Sequence, residues 1–282
     1  MNPKVILFLL VAFYCRGFAQ TFEYERSFGA FENATSFYIN SAGIVFVTDD
    51  VTDEVYELDT LGNEIESIGG YGWQTSTFDD PVDVFADPLK VLVTDKNNNR
   101  IQQFDKNLNF IFQFYKGDSD FDEERFGYPL SAAQSNLGDV FILDSENKRI
   151  LKFDLFGNFI QTIGGYDYGA FTLLDPKKLA VSMQNNIYVL DGNDIYIYDN
   201  YGNPVGNLEV PEKVRSIRII FQWLTLNSDT TIYASNLTTK EKILYPLILK
   251  GVDDKVKFVS SLIFNGKLYV LSPKNILIFS QQ

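Results

Sequence analysis

VFVTD (45–49), VLVTD (91–95), VFILD (140–144), IYVLD (187–191), IYASN (232–236) and LYVLS (268–272) are six variants of one phrase, an apolar run ending in a polar residue. Successive copies begin 46, 49, 47, 45 and 36 residues apart. Self-similarity at such a period marks stacked supersecondary units, none of which can bury its apolar face alone. Laid over one another, the copies read as four strands each. In the second copy these are Pro81–Ala86 (a), Lys90–Thr94 (b), Arg100–Phe104 (c) and Phe110–Phe114 (d). The third repeats them at Pro129–Ala133, Asp139–Leu143, Arg149–Phe153 and Phe159–Ile163.

Tight turns separate strands c and d: Asp59-Thr60-Leu61-Gly62-Asn63, Asp154-Leu155-Phe156-Gly157-Asn158 and Asp199-Asn200-Tyr201-Gly202-Asn203. Gly and Asn there supply the positive φ that such hairpins demand. Asp105-Lys106-Asn107-Leu108-Asn109 lacks the glycine, so Asn109 or Asn107 is expected to take that conformation. The sixth copy stops at its strand c, Ile276–Ser280, whereas Phe22–Gly29 precedes the first copy and reads like strand d. An N-terminal strand completing the last blade would pair an otherwise open sheet edge. The expected fold is all-β, a six-bladed β-propeller of four-stranded antiparallel blades closed by that seam.

In copies two and three, Asp95, Asn98, Arg100, Ile101, Phe104 and Asp105, and then Asp144, Asn147, Arg149, Ile150, Phe153 and Asp154, spell D-x-x-N-x-R-I-x-x-F-D. This phrase resembles that of the NHL-repeat family of six-bladed propellers, and the resemblance extends over nearly all of residues 22–282. Copy one has Glu54 where the Arg belongs, and copies five and six lose both Asp and Arg. The repeated Asp and Arg read as architecture: the Asp can accept backbone N–H bonds, and the Arg five residues on can pair with it.

Residues 1–19 read as an export signal, with Lys4 before the apolar run Val5–Tyr14 and Gly17-Phe18-Ala19 placing small residues ahead of a cut before Gln20. A run of about ten residues is too short to span a bilayer. The expected product is one soluble domain, 20–282, secreted or periplasmic, with no membrane insertion, and a monomer. A lipid on Cys15 is disfavoured by the bulky Tyr14 before it. Cys15 is the sole cysteine, so the mature chain has neither disulfide nor thiol chemistry. Losing Lys4 and Arg16 takes the formal charge from −13 to −15, which argues against nucleic acid as a partner.

The chain contains no histidine, which excludes a Ser-His-Asp triad, His-ligated zinc and imidazole acid–base catalysis. The amidating and antibiotic-ring lyases among related propellers depend on histidine, so the resemblance does not bring their activities with it. Propellers bind ligands on the face bearing the d-to-a and b-to-c loops. Two d-to-a loops here are aromatic, Gly69-Gly70-Tyr71-Gly72-Trp73 and Gly164-Gly165-Tyr166-Asp167-Tyr168-Gly169, and a third, Lys116–Arg125, carries Phe121 among five acids. Tyr71, Trp73, Phe121, Tyr166 and Tyr168 are therefore the candidate ligand-binding residues, for a protein, peptide or glycan. The competing reading tucks these rings back over their own blades. Asp118, Asp120 and Asp122 alternate like Ca²⁺ ligands but lack the turn Gly and terminal Glu of an EF-hand, so no metal site is assigned and Ca²⁺ is the one cofactor left open. The leading expectation is a non-catalytic binding scaffold. The alternative is a Ca²⁺-dependent hydrolase or lactonase using Asp80, Asp83, Asp175, Asp253 or Asp254 near the strand a starts.

Overall fold

Short alternating apolar segments closed by Gly and Asx turns form 25 strands and one 3₁₀ turn in the computed structural model, which describes residues 20–115, 117, 119–239 and 242–282. The expected export signal and Asp118 lie outside the described residues. Strand β1 spans Thr21–Phe28. Blade one is β2 (Ala34–Ile39), β3 (Ile44–Asp49), β4 (Glu54–Asp59) and β5 (Glu64–Gly69), and blade two is β6 (Pro81–Ala86), β7 (Lys90–Asp95), β8 (Arg100–Asp105) and β9 (Phe110–Phe114). Blade three is β10 (Ser131–Gln134), β11 (Val140–Asp144), β12 (Arg149–Phe153) and β13 (Phe159–Ile163). Blade four is β14 (Pro176–Val181), β15 (Ile187–Asp191), β16 (Asp194–Tyr198) and β17 (Pro204–Glu209). Blade five is β18 (Ser216–Ile220), β19 (Trp223–Asn227), β20 (Ile232–Asn236) and β21 (Tyr245–Pro246), followed by β22 (Ile248–Lys250). Blade six is β23 (Ser260–Phe264), β24 (Lys267–Leu271), β25 (Ile276–Gln281) and β1.

The seam closes as the chain ends suggest. Strand β1 lies antiparallel to β25, from Phe22↔Gln281 to Phe28↔Ile276, with an irregularity between Tyr24 and Arg26. Strand β22 adds a fifth, parallel strand outside β1, pairing Thr21 with Ile248 and Glu23 with Lys250. It covers the outer edge of the seam strand, which would otherwise offer unpaired N–H and C=O groups to solvent.

Six hydrophobic clusters alternate with the six blades, one between each neighbouring pair. Phe46 and Val55 of blade one meet Phe78 and Val93 of blade two, and Phe22 meets Ile232 across the seam. Each second strand is therefore covered on both faces, which is why it reads as a continuous apolar run. Blade five departs from the expected alignment. Its second strand is WLTLN (223–227), and IYASN is its third. Apart from half-buried Trp223, both strands are buried at their apolar positions, so the pattern alone could not order them. The short 36-residue interval thus falls between blades four and five.

The c-to-d turns show why the glycine recurs. Gly62 has φ +96°, and a Cβ on it would stand 2.4 Å from the Cβ of Phe28 in the preceding blade. Gly157 likewise abuts the Phe112 ring, at 2.9 Å. The residue is needed for close blade-to-blade approach as well as for its φ. In blade two neither asparagine takes the left-handed conformation. Leu108 does, at φ +59°, and its buried side chain joins the cluster between blades one and two. Apolar burial there offsets the backbone cost of roughly 1 kcal/mol for a non-glycine residue in that region.

Candidate functional site

The first strands touch in ring order, β2 to β6, β10, β14, β18, β23 and back to β2, and surround the channel. The alternation that points apolar residues between blades points polar ones inward. Ser36, Asp83, Ser131, Lys178 and Arg218, one from each of the first five blades, meet there and are buried. Asp83 Oδ1 lies 2.5 Å from Arg218 Nη2, 3.1 Å from Lys178 Nζ and 2.9 Å from Ser36 Oγ, and Ser131 donates to Oδ2. Burial alone would raise the Asp83 carboxyl, but Arg218 and Lys178 outweigh it and hold the group below the ordinary carboxylate range. Burial, only partly offset by Asp83, pushes Lys178 down to about 8. This cluster fills the channel as a plug. Asp83 is spoken for by two cations and does not project into open space as a catalytic or Ca²⁺-binding carboxylate would.

The other candidate carboxylates are dispersed. Asp80 pairs with Lys96 at 2.5 Å, Asp175 pairs with Lys177, and exposed Asp253 accepts from the backbone of Lys255 beside exposed Asp254. Among the described residues, no three His, Cys, Asp or Glu side chains converge as metal ligands would.

On the face of the d-to-a and b-to-c loops, the aspartate ending the second strand of blades one to four ties its own blade together. Asp49 accepts the backbone N–H groups of Glu32 and Asn33, and Asp191 those of Leu174 and Asp175. In blade two, Asp95 accepts from the Asp79 backbone at 2.9 Å, from Asn98 Nδ2 at 3.0 Å and from Arg100 Nε at 2.7 Å. The rest of the Arg100 guanidinium donates to the carbonyls of Trp73, Gln74 and Thr77, at 2.8, 2.9 and 2.9 Å. Gln102, the next inward-facing position of β8, holds the same loop by donating to the Thr77 carbonyl and accepting from the Ser76 N–H. Loop 70–78 is thus fastened from beneath by two buried side chains, and the Trp73 ring, 76% exposed, stands on it. In blade three Arg149 fastens the Phe121 loop through the carbonyls of Asp122 and Arg125.

The five candidate aromatics separate. Tyr71, Trp73, Phe121 and Tyr166 stand in solvent, Tyr166 at 94% exposure. Tyr168 is half-buried, packs edge-on against Tyr198 and donates its hydroxyl to the Thr162 carbonyl, so it follows the tucked-back reading and presents no binding face. Of the five, Trp73 lines an open groove of about 400 Å³. Its other walls are Asp79, the run Asn97-Asn98-Asn99 of the b-to-c loop, Arg100, and Gln113 and Tyr115 at the end of β9. The asparagine run was visible in the sequence but reads as ordinary turn composition. Nothing local connects it to a tryptophan 24 residues upstream.

The fold and these loops define a six-bladed β-propeller with a structural Asp–Arg latch and a plugged channel. No family model matches the sequence. Over 140 residues the chain is 29% identical to Protein brain tumor of Drosophila melanogaster, a stretch that is 48% of this chain and 13% of that protein. Among solved structures, virginiamycin B lyase from Staphylococcus aureus superposes with a TM-score of 0.62 at 10% identity, covering 90% of this chain and 98% of that one. A streptogramin B lyase gives 0.60 at 12% identity, covering 91% and 97%. A catalytically inactive histidine-to-alanine variant of the staphylococcal lyase, with quinupristin, gives 0.61 at 10% identity over 90% and 98%. At these identities the likeness is one of fold.

Proposed function

We propose that this chain is an exported, non-catalytic recognition propeller of the NHL type, engaging its partner through the d-to-a and b-to-c loop face with Trp73 at the centre. The observation that carries this reading is the fastening of the Trp73 loop. A solvent-standing tryptophan on a backbone held by three carbonyl bonds to one buried guanidinium is pre-organised for contact, and pre-organisation lowers the entropy lost on binding. The phrase shared by blades two and three supports the NHL assignment. The lyases share the fold alone, and an inactive lyase variant lacking one histidine is a poor guide to activity in a chain with none.

The partner is a protein, peptide or glycan. Capture of partners from the native host on immobilised protein, with Trp73→Ala as control, is the test. A partner retained by the wild type and lost by the variant supports the site. A partner held equally by both sinks it. Export is checked separately, since the amino terminus recovered from the envelope or medium should be Gln20.

A further inference from the structure

We infer that the groove between Trp73 and Tyr115 is a saccharide subsite that takes an uncharged pyranose unit of a glycan; the inference rests on the recognition role proposed above. Three features of the groove point to this chemistry. The first is its charge. Arg100 lines the groove, but its guanidinium is spent on Asp95, three carbonyls and Gln113 Oε1, so among the described residues of the wall no cation remains to attract an anionic ligand. Asp79 is the one carboxylate among the described residues of the wall, and it already accepts from Asn97 Nδ2 at 2.9 Å.

The second feature is the set of amide groups left over. Asn97 uses its Nδ2 on Asp79, Asn99 uses its Oδ1 on the Tyr128 N–H, and Gln113 uses its Oε1 on Arg100. The opposite ends of these three amides, an acceptor on Asn97 and donors on Asn99 and Gln113, carry no bond to the described residues of the chain that would hold them. Fixed donors and acceptors side by side match neighbouring hydroxyls, each of which both gives and takes a hydrogen bond.

The third feature is the aromatic wall. Trp73 offers an exposed indole on a fastened loop, and Tyr115 an exposed phenol across the groove. The C–H face of a pyranose is the apolar surface that a sugar can lay on such a ring, while its equatorial hydroxyls reach the amides. A volume of about 400 Å³ lies within the range of small-ligand sites, roughly 300–1,000 Å³, and leaves room for about two sugar rings. In blade three the corresponding loop reads Ser145-Glu146-Asn147-Lys148, with charges in place of two of the amides.

The chain has two tryptophans, and the other, Trp223, is half-buried between blades five and six. A Trp223→Phe protein therefore reports on Trp73 alone. The test is a glycan array of neutral and acidic oligosaccharides, followed by tryptophan-fluorescence titration of Trp223→Phe with the neutral hits and calorimetry on wild type. We expect saturable binding of neutral oligosaccharides with a shift in Trp73 emission. Affinity should fall at least tenfold in Trp73→Ala and severalfold in Asn97→Ala and Gln113→Ala, with melting temperatures unchanged. No saturable neutral glycan, binding of acidic glycans alone, or sugar binding indifferent to Trp73 would each overturn the inference. A peptide or protein partner that depends on Trp73 while no sugar binds would leave the recognition role standing and remove the saccharide. A partner indifferent to Trp73 would remove the role itself.

Discussion

The latch in blade two and the plug in the channel are built from the same chemistry, a buried aspartate facing cations, yet the chain assembles them in different ways. Asp95 and Arg100 are directly paired across the β7–β8 hairpin, so one turn brings them together. Asp83, Lys178 and Arg218 come from blades two, four and five, and they meet only when the ring closes. Their electrostatics differ accordingly. Burial pushes the Asp95 carboxyl up despite the bonds from Asp79, Asn98 and Arg100, whereas Arg218 and Lys178 hold Asp83 down. A latch is satisfied blade by blade. The plug is satisfied only by the whole propeller, and its two cations share one anion.

Removing the anion should therefore hurt more in the channel than in the blade. Asp83→Ala strands two buried cations, and a loss of about 3–5 kcal/mol is expected in urea unfolding. A loss below about 1 kcal/mol would mean that the plug is incidental to ring closure. Asp95→Ala also leaves a buried guanidinium without its carboxylate, but Arg100 keeps three carbonyl acceptors, so a smaller loss of about 2 kcal/mol is expected. Equal losses for the two variants would erase the distinction.

The plug also predicts a pH dependence at the alkaline end. Lys178 sits near 8 when folded, against an ordinary 10.5, so between those values the unfolded chain binds more protons than the folded one. Stability should then rise as pH increases from about 8 to 10, by roughly 1–3 kcal/mol, and Lys178→Met should abolish the rise. At the acid end the slope has the same sign. Asp83 is depressed when folded, so its contribution is present above the ordinary carboxylate range and is lost as pH falls through the folded value. The smallest effect belongs to the surface. Trp73→Ala should change stability by less than about 0.5 kcal/mol, because the ring is exposed and the loop is held through its backbone. A larger loss would make Trp73 part of the architecture that Arg100 serves.

Features that repeat within one blade were legible in the sequence. The second strands of every blade but the fifth, the Asp–Arg latch and the seam strand follow from alternation and from pairings within one unit. Contacts between units were not. Leu108 replaces a turn glycine because the gap between blades one and two accepts its side chain, and no local rule selects it over the flanking asparagines. WLTLN and IYASN are indistinguishable as strings, since each lies buried between two blades. Tyr166 and Tyr168 share a loop and differ only in which of them meets Tyr198.

Sequence alone determined an all-β chain of six repeating units with no histidine and one cysteine, because period, turn residues and composition act over a few neighbouring residues. The tertiary structure decided which polar groups face one another across the ring, and so that Asp83 is neutralised in a plug while Trp73 is held out over a row of amides. Those pairings join positions up to 182 residues apart, from Ser36 to Arg218. Only closure of the ring supplies the burial that gives them their strength.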